Sequence, residues 1–310
     1  MKYLLPFLIV FLSFNMSAQT DSKIYDIVDA VSEDRLRSDV KTLADFGTRH
    51  TLSDTLSETR GIGAARRWIK SQFDNISKGC DDCLEVFFQK DLVEKGRNQR
   101  IVKDVMVVNV VAIQRGTKYP NRFIIMSGDI DSRVSDPNDY ISDSPGANDN
   151  ATGMAGAIES ARVLSKYKFE SSIIYVGLSG EEQGLFGGQG LAKYAKEHNW
   201  EIIGVLNNDM IGNISGVDGV IDNRTFRIFS EAITTDETDP EKLARQARGR
   251  RFYGGEVDGI SRQLARYVHK TTKTYMPEMN PMMVYRLDRF GRGGHHRPFN
   301  DAGFSGIRIM

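Results

Sequence analysis

Six acidic residues stand at the ends of short apolar runs in this chain. Asp129 and Asp131 follow Phe123-Ile124-Ile125-Met126, and Glu181 and Glu182 follow Ile173-Ile174-Tyr175-Val176. Asp209 follows Ile202-Ile203-Gly204-Val205-Leu206, and Asp149 sits in a Gly/Asn turn just before a helical pattern. Like charges a few ångströms apart cannot all stay ionised without a counter-charge. Taken one at a time, each acid reads as a solvated loop residue or a helix cap. Gathered on one rim with a histidine, they suit a hydrolytic site built on two divalent metals.

The elements that would gather them are legible. β-branched runs separated by helix-length segments argue for strands of a largely parallel sheet buried on both faces. In such sheets ligands collect outside the carboxyl ends of the strands. The expected fold is therefore α/β, a three-layer sandwich with a central mixed, largely parallel sheet flanked by helices.

Five motifs in order are Gly128-Asp129-Ile130-Asp131-Ser132, Pro145-Gly146-Ala147-Asn148-Asp149-Asn150, Gly180-Glu181-Glu182-Gln183-Gly184-Leu185, Asn208-Asp209-Met210-Ile211-Gly212 and Gly293-Gly294-His295-His296-Arg297-Pro298-Phe299. Over residues 40–310 the chain resembles the co-catalytic zinc exopeptidases, which include bacterial leucyl aminopeptidases, glutamate carboxypeptidase and the glutaminyl cyclases. The resemblance implies that Asp149 bridges two metals, that Glu182 and Asp209 are ligands and that Glu181 is the general base. It makes Asp131 the carboxylate partner of the residue at 129. It aligns His296, rather than His295, with the last ligand, because the usual pattern there is Asp-His-x-Pro-Phe.

One departure stands out. The family carries His-x-Asp where this chain has Asp129-Ile130-Asp131, and His295 takes the place where an acid is common. Asp129 can still bind zinc through oxygen. An all-oxygen site is harder, which favours manganese, magnesium or calcium, or leaves that metal site weak. The expectation is a metal-dependent exopeptidase, most simply an aminopeptidase, acting on peptides with two divalent metals. The alternatives are a single-zinc glutaminyl cyclase using Asp149, Glu182 and His296, and an inert binding protein on the same scaffold.

Composition narrows the rest. Lys+Arg and Asp+Glu balance at 41 each, so bulk charge points to no nucleic-acid partner. Residues 1–18 read as a signal peptide: Lys2, then an apolar stretch over 4–14 too short to span a bilayer, then a small-residue end at Ala18. Export follows, with no stable membrane association once that segment is removed, and 19–310 reads as a single catalytic domain. In an exported chain Cys80 and Cys83 read first as a local disulfide.

Helices are expected over 24–44, 57–74, 150–166, 225–233 and 257–269, and a strand hairpin over 84–89 and 105–113. His50 reads as a satisfied structural histidine. Arg245, Arg248, Arg250 and Arg251 read as a solvated basic face. Tyr285, Arg286, Arg289 or Arg292 could donate to a substrate carbonyl or carboxylate. The last residues read as a strand, with an uncovered edge and the family's further chain absent.

Overall fold

The computed structural model describes residues 20–232, 239–253, 258–285 and 293–310. The expected signal segment over 1–18 and the arginines at 286, 289 and 292 lie outside the described residues.

An eight-stranded sheet organises the chain: β1 (Leu84–Val93), β2 (Val105–Gln114), β3 (Tyr119–Asp129), β4 (Ser171–Leu178), β5 (Glu201–Asn208), β6 (Thr225–Ser230), β7 (Asn280–Tyr285) and β8 (Gly306–Ile309). Their order is β1-β2-β4-β3-β5-β8-β6-β7. The pairs β3/β4, β3/β5, β5/β8 and β6/β7 are parallel, and β1/β2, β2/β4 and β6/β8 are antiparallel. The sheet is mixed with a parallel centre, as expected, and the hairpin β1/β2 is one of its edges.

The strands are apolar on both faces because both faces are covered. Ile173 and Tyr175 pack with Leu43, Ile69, Phe73, Met154 and Ile158 on one side. Their alternating neighbours Ile174 and Val176 pack with Leu191, Ala195, Val205 and Phe299 on the other. The first layer is built by α2 (Glu33–Asp45), α3 (Gly61–Lys78) and α4 (Thr152–Leu164), and the second by α6 (Phe186–Glu197) and α9 (His296–Asp301). A short α1 (Ser22–Asp29) precedes them, α7 (Pro240–Tyr253) stands between β6 and α8, and α8 (Ile260–Tyr275) packs Ala265 against Ile228 and Ile307. Each fully buried Ile or Val here contributes roughly 1.5–3 kcal/mol relative to exposure.

Several local expectations change. The helix over 24–44 is two helices, because the Ser32 hydroxyl accepts from Arg35 N–H and starts α2 afresh. The helix over 225–233 is instead strand β6. Phe226 and Ile228 face α8 at the two-residue period of a strand, and the backbone pairs with β7 on one side and β8 on the other. For the same reason β8 is not an edge: it lies between β5 and β6. The helix over 257–269 begins at Ile260 and runs on to Tyr275.

Cys80 and Cys83 are joined in a disulfide. Arg245, Arg248 and Arg251 are exposed on α7. His50 is buried, with Nδ1 accepting from Leu52 N–H and Nε2 bonded to the Pro137 carbonyl at 3.0 Å.

Candidate active site

The parallel centre of the sheet sends three strand ends to one rim. Asp129 ends β3, Glu181 and Glu182 follow β4, and Asp209 follows β5. Two glycines let a fourth segment in. Gly128 on β3 and Gly153 on α4 touch backbone to backbone, and a side chain on Gly153 would collide with the Asn208 carbonyl. The turn that carries Asp149 is thereby pressed against the ends of β3 and β5. After β4, Gly180 takes φ 76°, a left-handed conformation that glycine adopts without steric cost. It breaks the strand alternation and opens the short helix α5 (Glu181–Gly184), so that adjacent glutamates serve one site.

A cavity of about 590 Å³ opens over this rim and is lined by Asp149, Glu181, Glu182 and Asp209. Asp129 and Asp131 lie beneath it, 2 % and 1 % exposed. The acids feel one another. Burial, then the charges of Asp129, Glu182, Asp209 and Asp131, hold the Glu181 carboxyl well above the usual range. Burial and then Asp131 and Asp149 push Glu182 up to about 7. Desolvation and then Asp129 raise Asp209 as well. Asp149 is open to solvent at the cavity mouth, yet desolvation by the walls and the charge of Asp129 raise its carboxyl too.

Three basic side chains of the chain meet these carboxylates. Arg133 bonds Glu182, Arg308 Nε lies 2.9 Å from Asp209, and His295 Nδ1 lies 2.6 Å from Asp129 Oδ1. Asn150 donates to Asp129 Oδ2 at 2.7 Å, so both oxygens of Asp129 are engaged. Asp149 and Glu181 take no side-chain hydrogen bond among the described residues.

Asp131 does not touch Asp129. Its two oxygens accept the backbone N–H groups of Glu181 and Glu182 at 3.1 and 3.0 Å, and Thr51 Oγ1 donates to it at 3.1 Å. It therefore caps α5 and aims the glutamates, in place of the orienting role expected for it at position 129. His296 stands apart, with Nε2 3.3 Å from Glu231.

Sequence reasoning did not find Arg49. This fully buried guanidinium donates to the carbonyls of Leu43, Ile130, Pro145 and Gly146 at 2.6–3.0 Å. It thereby ties the lead-in segment to both carboxylate-bearing loops. No spacing in the sequence says which carbonyls it would reach.

The donor set fits a divalent cation by charge and by chemistry. Crowded carboxylates need a counter-charge. His295 Nε2 and His296 Nδ1 are buried without a partner among the described residues, as imidazole ligands are before coordination. Among the described residues no three His, Cys, Asp or Glu side chains converge on one point. Arg133, Arg308 and His295 engage three of the carboxylates instead.

Comparison with known proteins bears on the fold and the family. A probable zinc metalloprotease of Pyrenophora tritici-repentis is 36% identical over 94% of this chain and 66% of its own length. The aminopeptidase LapA of Legionella pneumophila superposes with a TM-score of 0.64 at 18% identity, covering 94% of this chain and 64% of that one. A glutaminyl cyclase of Bacteroides thetaiotaomicron superposes with a TM-score of 0.61 at 16% identity, covering 90% of this chain and 84% of that one. At such identities the two structures speak for the fold alone. The chain spans just under two thirds of the length of the zinc metalloprotease it matches. Peptidase family M28 matches residues 109–310, the stretch that carries every carboxylate of the rim and both histidines, and the chain belongs to that family.

Proposed function

We propose that this chain carries the catalytic centre of an exported metal-dependent exopeptidase, most simply an aminopeptidase. The observation that carries the reading is Glu181. It is a carboxyl without a side-chain partner among the described residues, it lines the cavity, and burial and its acidic neighbours hold its pKa well above the usual range. A general base works best when its pKa lies near the working pH. An inert scaffold has no use for such a group.

Asp149, Glu182 and Asp209, with Asp129 and His296 as the further candidates, are the proposed ligands of two divalent metals. Zinc is the first choice, with manganese, magnesium or calcium favoured by the acid at 129. When bound, such metals polarise a scissile carbonyl and lower the pKa of water. Glu181 takes the proton of the attacking water and returns it to the departing amine. Asp131 holds the backbone of α5 so that this carboxyl keeps its aim. Asp129, beneath the site, disfavours the ionised form of Glu181 and so raises the pH at which this carboxyl becomes free to take a proton.

Glu181→Gln keeps shape and removes the base. It should lower kcat about 10²–10⁴-fold while leaving metal content unchanged. Chelation should abolish peptide hydrolysis and added zinc restore it. Full activity after exhaustive chelation would sink the reading.

One observation favours a second reading. With both oxygens of Asp129 engaged, a single metal on Asp149, Glu182 and His296 is a coherent alternative, as in a glutaminyl cyclase. Formation of a pyroglutamyl peptide from a glutaminyl peptide, with release of ammonia and without cleavage of any peptide bond, would select it.

A further inference from the structure

Four arginines reach the cavity over the acidic rim: Arg100, Arg133, Arg227 and Arg308. Three are committed. Arg133 bonds Glu182, Arg308 bonds Asp209, and Arg100 Nη1 donates to the Glu182 carbonyl at 2.5 Å. Arg227 is exposed and its guanidinium has no partner among the described residues.

Its direction is set by the strand. Phe226 and Ile228 face α8, so Arg227 and Phe229 must face the opposite side of the sheet. Phe229 is paired with Arg308 in the register of β6 and β8. One step along, Arg227 exchanges backbone hydrogen bonds with Met310, at 2.7 and 3.0 Å. Arg227 is therefore anchored by its backbone on the face that bears Arg308, and it looks into the same cavity as Glu181.

The ordinary reading of such a residue is a solvated surface cation worth little. Two facts argue otherwise. Its neighbours Phe229 and Met310 also line the cavity, so a ligand seated there would displace water and strengthen a charge pair. Glu182 and Asp209 across the cavity already have their own arginine partners, and neither Asp149 nor Glu181 draws Arg227 into a hydrogen bond or ion pair among the described residues. A planar guanidinium with five donors is suited to the two oxygens of a carboxylate.

We propose that Arg227 reads a carboxylate of the peptide substrate, which makes short or acidic peptides the substrate class. This rests on the peptidase reading above. The carboxylate has two sources: the free C-terminus of a dipeptide, or an acidic side chain beside the scissile bond.

The test measures kcat/KM on two matched pairs, Leu-Leu against Leu-Leu-amide and Leu-Asp-amide against Leu-Asn-amide. The zinc-loaded protein and its Arg227→Ala, Arg227→Lys and Arg227→Glu variants are compared. The carboxylate member of one pair should be favoured about 10–100-fold, the range for a hydrogen bond to a charged group. That preference should collapse in Arg227→Ala, survive in part in Arg227→Lys and reverse in Arg227→Glu. The pair that shows it identifies the source. Preferences unchanged by Arg227→Ala in both pairs would overturn the inference. Calorimetric binding of the same four peptides to Glu181→Gln separates the two claims. Carboxylate-selective binding that depends on Arg227, with no hydrolysis by the unmutated protein, would end the peptidase reading and leave the inference standing.

Discussion

His295 Nδ1 stands 2.6 Å from Asp129 Oδ1, with the two side chains 0 % and 2 % exposed. Family resemblance leads one to expect a histidine at 129 and an acid at 295. Both positions depart from it, and the two departures meet. The imidazole and the carboxylate stand in each other's expected positions and contact one another. A buried carboxylate–imidazole contact of this kind fixes the orientation of the ring, and His295 Nε2 is buried without a partner among the described residues.

Such a pair should behave as one unit under mutation. Asp129→His alone sets two imidazoles against each other, and His295→Asp alone sets two buried carboxylates together. Each should destabilise by about 2–4 kcal/mol, since each leaves a buried polar group unpaired. The double variant restores a carboxylate–imidazole pair in reverse and should recover about 1–3 kcal/mol of that loss. Denaturant unfolding of the four proteins gives the coupling directly. Additive losses would show that the contact carries no energy.

Arg49 should prove more sensitive than any single acid of the rim. Burial lowers its pKa to about 10, against the raising effect of Asp131 and Asp149. It is the shared donor for carbonyls on both loops. Arg49→Met should leave those buried carbonyls unsatisfied, at about 1–3 kcal/mol each for the least compensated of them. Thermal unfolding should fall by ten degrees or more on the order expected for such a loss, and metal affinity should fall with it. A stable variant with intact metal content would show that water replaces the guanidinium.

The contrast between Arg49 and the rim explains what could be read in advance. The rim was legible because five of its acids follow runs of apolar residues and Asp149 sits in a turn just before a helical pattern, and parallel strands put their ends together by topology alone. Strand β6 was not, because Thr225–Ser230 takes its conformation from β7 and β8, which lie more than 50 residues away in the chain. The same holds for β8, whose interior place depends on β6. Asp131 illustrates a finer limit. Its alternation with Asp129 was visible, yet its partners are two backbone N–H groups 50 and 51 residues distant, which no local pattern encodes.

Away from the site, Glu159 should set the acid limit of the fold. This carboxylate is 2 % exposed and accepts from Arg35 Nε at 2.9 Å, Ser32 N–H at 2.9 Å and Arg162 at 3.3 Å. Burial alone would raise its pKa, but Arg35 and the Ser32 N–H outweigh it, and the folded value lies below the usual one. A depressed carboxylate pKa contributes stability above the unfolded value, near 4.5, and loses it as pH falls through the folded value. Glu159→Gln should therefore cost roughly 3 kcal/mol at pH 7 and progressively less below pH 4.5. A loss that is equal at pH 7 and pH 3 would assign the effect to packing.

Asn150 offers a test of why a neutral amide sits among so many acids. Its Nδ2 donates to Asp129 Oδ2 at 2.7 Å and to the Asn208 carbonyl at 2.8 Å, and its Oδ1 accepts from Gly153 and Met210 N–H, both at 3.1 Å. All four bonds are made with groups from the three elements that meet at the rim. Asn150→Asp keeps the acceptor and loses both donors, turning an oxygen toward Asp129 and toward a carbonyl. That substitution should cost more than Asn150→Ala, by about 1–3 kcal/mol, because it adds a like charge where it removes a donor. The excess should depend on pH with a definite sign. The new carboxyl is disfavoured as an anion, so its folded pKa lies above its unfolded one. Its penalty should shrink below pH 4, where a protonated acid can donate to Asp129, and grow as pH rises toward 7. Chemical unfolding of both variants between pH 4 and pH 8 measures this. An Asn150→Asp penalty that stays constant across that range would mean the side chain has turned out of the pocket, and that Asp129 is held in place by His295 alone.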